Sequence, residues 1–554
     1  MRRLFLLALA CLAGCADAPV DAPPLRFSQR AGAARLAFIH VAGISSQRQL
    51  PETMGAGAAV FDADLDGDLD LYFVQSGALP LQAERAGEPP NELWLNDGGM
   101  RFSNHTAMSG DAAHRGYGMG ASVGDTNGDG YEDLFVTNLG ADVLLAGEPG
   151  ASFRDVTGAA GISVTGWSGG AIFFDPDNDG DLDLFITGYL EIDIEHPQVC
   201  GLQREGWRSY CHPDAYAGVP DSYWLNLGDG RFRDATESAG LCDSAGKGLG
   251  AVASDLDGDG HLDIYVANDS VENRLWLGDG AGHFKDGTLL AGVGVNGLGL
   301  TEAGMGLATG DVDGDLQLDL FVTNFDDESN TLYRAEGAGL FSDITQIAGL
   351  EGSSRLSVGF GALLEDFDGD GDLDIAVANG HIIHNIELYH DGKTWAQKPL
   401  LWAGDGAGHF ENVSATSGDL CATAVVGRGL YAGDLDGDGD LDLVLTECNG
   451  AARLFENLGQ DERAVVLSGL PRGTLVEFHL RDGTTILREA GPQPSYFGSG
   501  SARLHFSGGA ISGLDLRLPG GPSLSWPAPL APGHYRVRLD PLELVPEPRE
   551  RSAK

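Results

Sequence analysis

One pattern recurs seven times along the 554 residues, and nothing else in the sequence restricts the fold as tightly. Side-chain oxygens stand at positions 1, 3, 5 and 9 of a nine-residue stretch. The first copy is Asp62, Asp64, Asp66 and Asp70, and the second is Asp125, Asn127, Asp129 and Asp133. The third is Asp175, Asp177, Asp179 and Asp183, and the fourth is Asp255, Asp257, Asp259 and Asp263. The fifth is Asp311, Asp313, Asp315 and Asp319, the sixth Asp366, Asp368, Asp370 and Asp374, and the seventh Asp434, Asp436, Asp438 and Asp442. Such a long period marks a repeat architecture; metal-binding nonapeptides of a β-helix would run in tandem.

The offsets have a chemical reason. Calcium takes six to eight oxygen ligands at about 2.3–2.6 Å, and carboxylates two residues apart converge on one ion only if the chain turns sharply. Position 6 holds Gly67, Gly130, Gly180, Gly260, Gly371 and Gly439, where a left-handed backbone is cheap. Leu316 stands there in the fifth copy. That loop is therefore expected to be distorted or weak, and Leu316→Gly to stabilise it. Position 7 is chemically mixed, as suits a backbone carbonyl ligand. The formal net charge of −48 would oppose a compact state through self-repulsion. Up to seven Ca2+ ions would relieve it, whereas nucleic acid is excluded as a partner.

An EF-hand would need a bidentate Glu at position 12 and flanking helices. Position 12 is Phe73, Val136, Ile186, Val266, Val322, Val377 or Leu445, and the runs around it are β-branched and aromatic, as strands are. A second repeat falls between the loops: pairs such as Leu93-Trp94, Tyr223-Trp224 and Leu401-Trp402 precede a Gly-rich turn. Six such turns lead to Phe102, Phe153, Phe232, Phe284, Phe341 and Phe410. Each unit reads strand, acidic loop, strand, strand, glycine turn, strand. Seven four-stranded units predict an all-β chain built on a seven-bladed β-propeller. The seventh unit lacks its last strand after Phe455. Leu25-Arg-Phe27-Ser-Gln, or alternatively Leu36 to Val41, is expected to supply it and close the ring.

The loops together with Phe153-Arg-Asp-Val-Thr, Phe232-Arg-Asp-Ala-Thr and Phe341-Ser-Asp-Ile-Thr resemble the FG-GAP or VCBS repeat family, whose propeller also forms the head of integrin α-subunits. Glu52-Thr-Met-Gly55, Tyr210-Cys211-His212-Pro213 and Asn379-Gly380-His381 are similar to the bacterial cartilage-acidic-protein-1-like branch. That resemblance implies calcium on the loop carboxylates named above. It also implies a small C-terminal ASPIC/UnbV-like β domain, with Tyr496-Phe497-Gly498 and Leu518-Pro-Gly-Gly521 at related turns.

At the N-terminus, Arg2-Arg3 and the apolar Leu4 to Leu12 form a secretion leader too short to span a bilayer permanently. Leu12-Ala13-Gly14-Cys15 resembles the bacterial lipobox, which implies cleavage before Cys15 and its lipidation. The expected organisation is a signal peptide over 1–14, a linker over 15–24, the propeller over 25–459, the β domain over 460–540 and a tail over 541–554. In an oxidising compartment Cys200 and Cys211, close together in the insertion 190–220, are the first candidates for a disulfide, with Cys421–Cys448 a weaker one.

These features favour an exported, membrane-anchored lipoprotein, on the outer membrane or cell surface of a bacterium. It would act as a calcium-binding adhesion or scaffold module for an extracellular protein or glycan, touching membrane only through its lipid. The chain is read as non-enzymatic: no His-Glu-x-x-His motif occurs, no catalytic residue is singled out, and most carboxylates are committed to metal. The alternatives are a propeller hydrolase or lyase acting on an extracellular glycan, and a purely structural envelope lipoprotein. Trp207, Tyr210 and Tyr216 in the insertion are either a recognition surface or a cover for the blade edge.

Overall fold

The structure, a computed structural model, describes residues 25–547 apart from 31, 33, 80, 82–86, 203, 205, 243–245, 460–463, 492, 493 and 540. Cys15 and the leader lie outside the described residues. Each acidic loop joins two antiparallel strands of a four-stranded meander. In the first unit these are Ala58–Phe61, Asp70–Phe73, Glu92–Asn96 and Phe102–Asn104, hydrogen-bonded in chain order. The second strands are buried on both faces, which is why Asp70–Phe73 and Asp263–Asn268 are continuously buried and do not alternate.

The fourth, fifth and sixth units repeat the same order, from Gly248–Ser254 to Phe410–Asn412. The second and third depart from it. Their strands Asp133–Ala141 and Thr165–Phe174 outrun the loops and pair over Thr165↔Ala141 to Trp167↔Leu139, so the two units share one sheet. The inner strand of each unit lies beside that of the next, and Gly427–Gly433 of the seventh lies beside Ala58–Phe61 of the first.

The seventh unit takes its outer strand from the N-terminus. Phe27–Gln29 pairs with Arg453–Asn457 in the register Phe27↔Asn457, and Phe27 is buried against Phe367 at 5.7 Å. The alternative donor is used otherwise: Phe38 stacks on Phe73 at 4.5 Å, and Ile39 makes one bridge to Ala451.

The strands after Asn457 form two four-stranded sheets around a separate core of Val465, Val476, Phe478, Phe506, Leu514 and Val537. The last strand, Leu542–Glu547, is the hairpin partner of Gly533–Leu539. The ordered unit thus runs past 540, the expected boundary, because that hairpin is needed to complete the sheet. Between the two sheets, residues 494–501 leave this domain and enter the space enclosed by the inner strands. Tyr496 and Phe497 are buried there, stacked at 4.0 Å. Tyr431 donates from its hydroxyl to the Tyr496 carbonyl at 2.8 Å, and Val60 N donates to Ser499 O at 3.0 Å. A Cβ on Gly57 or Gly120 would strike the Phe497 carbonyl, so glycine on these inner strands makes room for the inserted segment.

Candidate metal loops

The seven loops share one hydrogen-bond scheme. The carboxylate at position 1 accepts from the backbone N–H at position 6 in every copy, from Gly67 to Asp62 at 3.0 Å through Leu316 to Asp311 at 3.0 Å to Gly439 to Asp434 at 3.2 Å. Position 5 accepts from the N–H at position 7, also in every copy. These turns aim the side-chain oxygens inward. In the first, third, fourth and fifth loops the three carboxylates at positions 1, 3 and 5 come within 4.8 Å of one another.

Two positions per loop, not one, have positive φ. Position 6 does, including Leu316 at 67°, and so does position 4: Gly128, Gly258, Gly314, Gly369 and Gly437, but Leu65 at 62° and Asn178 at 58°. Sequence reasoning missed position 4 because two of its seven occupants are not glycine. It also missed what position 9 does. Asp70 accepts from Ala63 N and Asn96 N, both at 2.8 Å, so it ties the loop to the third strand. Asp133, Asp183, Asp263, Asp319, Asp374 and Asp442 likewise each accept a backbone N–H from the third strand of their unit, at 2.6–3.0 Å. Each carboxylate oxygen has a second lone pair that such bonds leave open.

Without a cation the loops are electrostatically unfavourable. Burial, then the neighbouring aspartates, pushes Asp64 and Asp177 above the usual carboxylate range. Burial foremost raises Asp175 and Asp366 to about 6, Asp368 and Asp434 to about 7 and Asp438 to about 8. Three buried oxygens, Asp177 Oδ1, Asp255 Oδ1 and Asp313 Oδ1, have no hydrogen-bond partner. Leaving such an oxygen bare is costly. An all-oxygen set with backbone carbonyls at hand suits a hard cation such as calcium and not zinc or copper. These residues fit the ion.

Other singled-out residues are placed differently. Cys200 and Cys211 are bonded, within a hairpin that pairs Cys200 with Ser209. Cys421 and Cys448 are both unpaired and lie in different core clusters, which rules out the weaker pairing. Tyr210 is buried, its hydroxyl on Glu52 Oε2 at 3.2 Å, and Trp207 packs on Tyr389 at 5.4 Å. The insertion thus reaches across to the first and sixth units, and its aromatics are covered more than displayed. His381 is engaged by Asp326 Oδ2 at 3.0 Å and by Ile383 N at 2.9 Å, while His384 faces the Tyr210 ring. Two stretches, 120–124 and 166–170, fit the Gly-x-Ser-x-Gly spacing, which the sequence reading passed over. Both lie inside inner strands and not at a strand-to-helix turn, and Ser168 donates to Asp142 Oδ2 at 2.6 Å.

Fold and loops together define an all-β repeat protein whose repeat unit is a meander with an acidic loop. The chain belongs to the FG-GAP-like repeat family: its matches over 62–136, 125–186, 212–266, 255–322, 311–377 and 366–445 take in more than half of the sequence. Among curated proteins it is similar to cartilage acidic protein 1 of Homo sapiens, 24% identical over 352 residues, covering 58% of this chain and 47% of that one. The Mus musculus protein of that name is 24% identical over 391 residues, covering 60% and 58%. The chain thus spans about half the length of these relatives. A solved structure concerning recognition of non-reducing terminal N-acetylglucosamine by an Agrocybe aegerita lectin aligns at 14% identity, covering 74% of this chain and 91% of that one, with a TM-score of 0.36.

Proposed function

We propose that the protein is a calcium-stabilised binding or scaffold module of the cell exterior, built as a closed seven-bladed propeller with an ASPIC/UnbV-like domain. The observation that carries this reading is the set of orphaned, buried carboxylate oxygens in the converging acidic loops. Residues at positions 1, 3, 5 and 9 of each loop would hold the ion, and the ion would offset the repulsion that burial sharpens. Adjacency of the seventh and first inner strands supports ring closure. Homology to cartilage acidic protein 1 agrees with a binding or structural role.

Lipidation at Cys15 would anchor the protein outside the inner membrane. The lipobox-like sequence supports this, and mass spectrometry of the membrane fraction tests it. A soluble protein lacking a lipid mass at Cys15 would refute it. A non-enzymatic role is favoured by the buried settings of Ser122, Ser168 and His381. Partner binding is tested by pull-down and glycan array with calcium present. Capture that is lost in chelator supports a calcium-dependent module, and turnover of a glycan substrate would replace this reading with the hydrolase or lyase.

A further inference from the structure

The C-terminal domain lies on the acidic-loop face, and it brings three arginines to it from three separate places in its chain. Arg503 Nη2 contacts Asp62 Oδ2 at 3.2 Å, position 1 of the first loop, and its charge also acts on Asp434 of the seventh. Arg488 Nη2 donates to the Gly371 carbonyl of the sixth loop at 2.8 Å and acts on Asp366 and Asp372. Arg472 donates to Val123 O at 2.5 Å and Phe173 O at 3.4 Å, two residues before Asp125 and Asp175. Its charge acts on the half-buried Glu132 of the second loop. The same domain touches the loops with uncharged groups: Gly520 N donates to Gly260 O at 2.7 Å, and Ser507 Oγ lies 3.4 Å from Asp366 Oδ2.

A docking surface that only needed shape would not require three buried or half-buried guanidinium groups, each costly to desolvate. Arginine is suited to this place because it remains charged when buried and its fork reaches a carboxylate and a carbonyl at once. A cation beside a metal loop acts in two directions. When calcium is absent it offsets the carboxylate repulsion. When calcium is present it repels the ion and competes for an oxygen such as Asp62 Oδ2.

We propose that Arg472, Arg488 and Arg503 make the C-terminal domain a built-in counter-ion for this face. They hold the domain and loops together at low calcium and lower calcium affinity where Arg503 and Arg488 touch the first and sixth loops. The inference rests on the calcium reading above. Arg503 and Arg488 are positioning residues in this scheme.

The test uses the full mature chain with R503Q and R488Q, singly and together, and R503K as a charge-conserving control. Two quantities are read: the melting temperature in chelator, and the free calcium that restores half of the stability lost in chelator. The double neutral variant should melt lower in chelator yet need less calcium, by about three- to tenfold, since a like charge near the ion has gone. R503K should stay close to wild type in calcium requirement. If the neutral variants instead need more calcium, or the same amount, the arginines are a structural clamp and the proposal is overturned. If wild type itself gains no stability from calcium, the calcium reading fails first, and that result is separate from either variant.

Discussion

The first and fifth loops each place one leucine in left-handed backbone, and the two leucines are in opposite circumstances. Leu65, at position 4 of the first loop, has φ 62° and is 50% exposed. Leu316, at position 6 of the fifth, has φ 67° and packs against a core cluster that takes in Leu475 and Leu487 of the C-terminal domain. A left-handed non-glycine residue costs about 1–2 kcal/mol in either place. Burial of a leucine side chain is worth about as much or more, up to about 3 kcal/mol when complete. The strain is thus offset at Leu316 and not at Leu65. A residue that breaks the loop's own rule can be there for a neighbouring domain.

The two units also differ in position. The first adjoins the ring seam, where Asn96 Nδ2 donates to Leu435 O of the seventh loop at 2.7 Å; the fifth lies away from it. Deleting residues 16–35 removes the Phe27–Gln29 strand and should have the largest effect. It should lower stability by at least the about 3–5 kcal/mol typical of losing one buried Phe. Hydrogen exchange should rise in the first loop before the fifth. Unchanged solubility and melting would mean that the seam is closed by other residues.

Next in size are the ninth aspartates. Asp70→Ala and Asp319→Ala each strand two buried N–H donors, at about 1–3 kcal/mol per group. Because the bonding scheme is the same in both loops, the two losses measured by denaturant melts should agree within about 0.5 kcal/mol. A large disagreement would end the treatment of these loops as equivalent. The leucines come third. Leu65→Gly should stabilise by about 1 kcal/mol, whereas Leu316→Gly should be neutral or destabilising by about 1 kcal/mol as packing is lost. This reverses the expectation formed from the glycine pattern alone. If Leu316→Gly stabilises as much as Leu65→Gly, the packing against the C-terminal domain contributes nothing.

The smallest effect is that of pH on the calcium-free protein. Asp366 is raised to about 6, and Asp434 to about 7. A carboxyl group whose folded value is raised contributes stability that is present at low pH and lost as pH rises through that value. Calcium-free protein should therefore melt at falling temperature between about pH 5 and 8. The calcium-bound protein should not follow that slope, since the ion takes the place of the proton on the loop aspartates. Parallel profiles in both forms would contradict the assignment of the loops as the source.

Much of this was legible in the chain. The Asp offsets and the Phe102-type hairpin ends located the strands because both are local signals that repeat. The N-terminal strand was legible by subtraction, since six hairpin ends served seven units. What escaped was non-local. Nothing around Arg472, Arg488, Tyr496 or Arg503 says that they meet the propeller, because their partners lie 65 to 441 residues away in sequence and include backbone carbonyls. The choice between display and cover for the insertion's aromatics was open in the sequence for the same reason: Tyr210 is spoken for by Glu52, 158 residues earlier.

The account stands or falls on whether the acidic loops take calcium. Equilibrium dialysis of the full mature chain against buffered calcium, with bound metal counted per chain, answers this directly. At a hundredfold excess over Kd each site would add about 2.7 kcal/mol. The account predicts several ions per chain, up to seven, and a melting temperature well over ten degrees higher than in chelator. No bound calcium, with a melt unchanged by chelator, would contradict it.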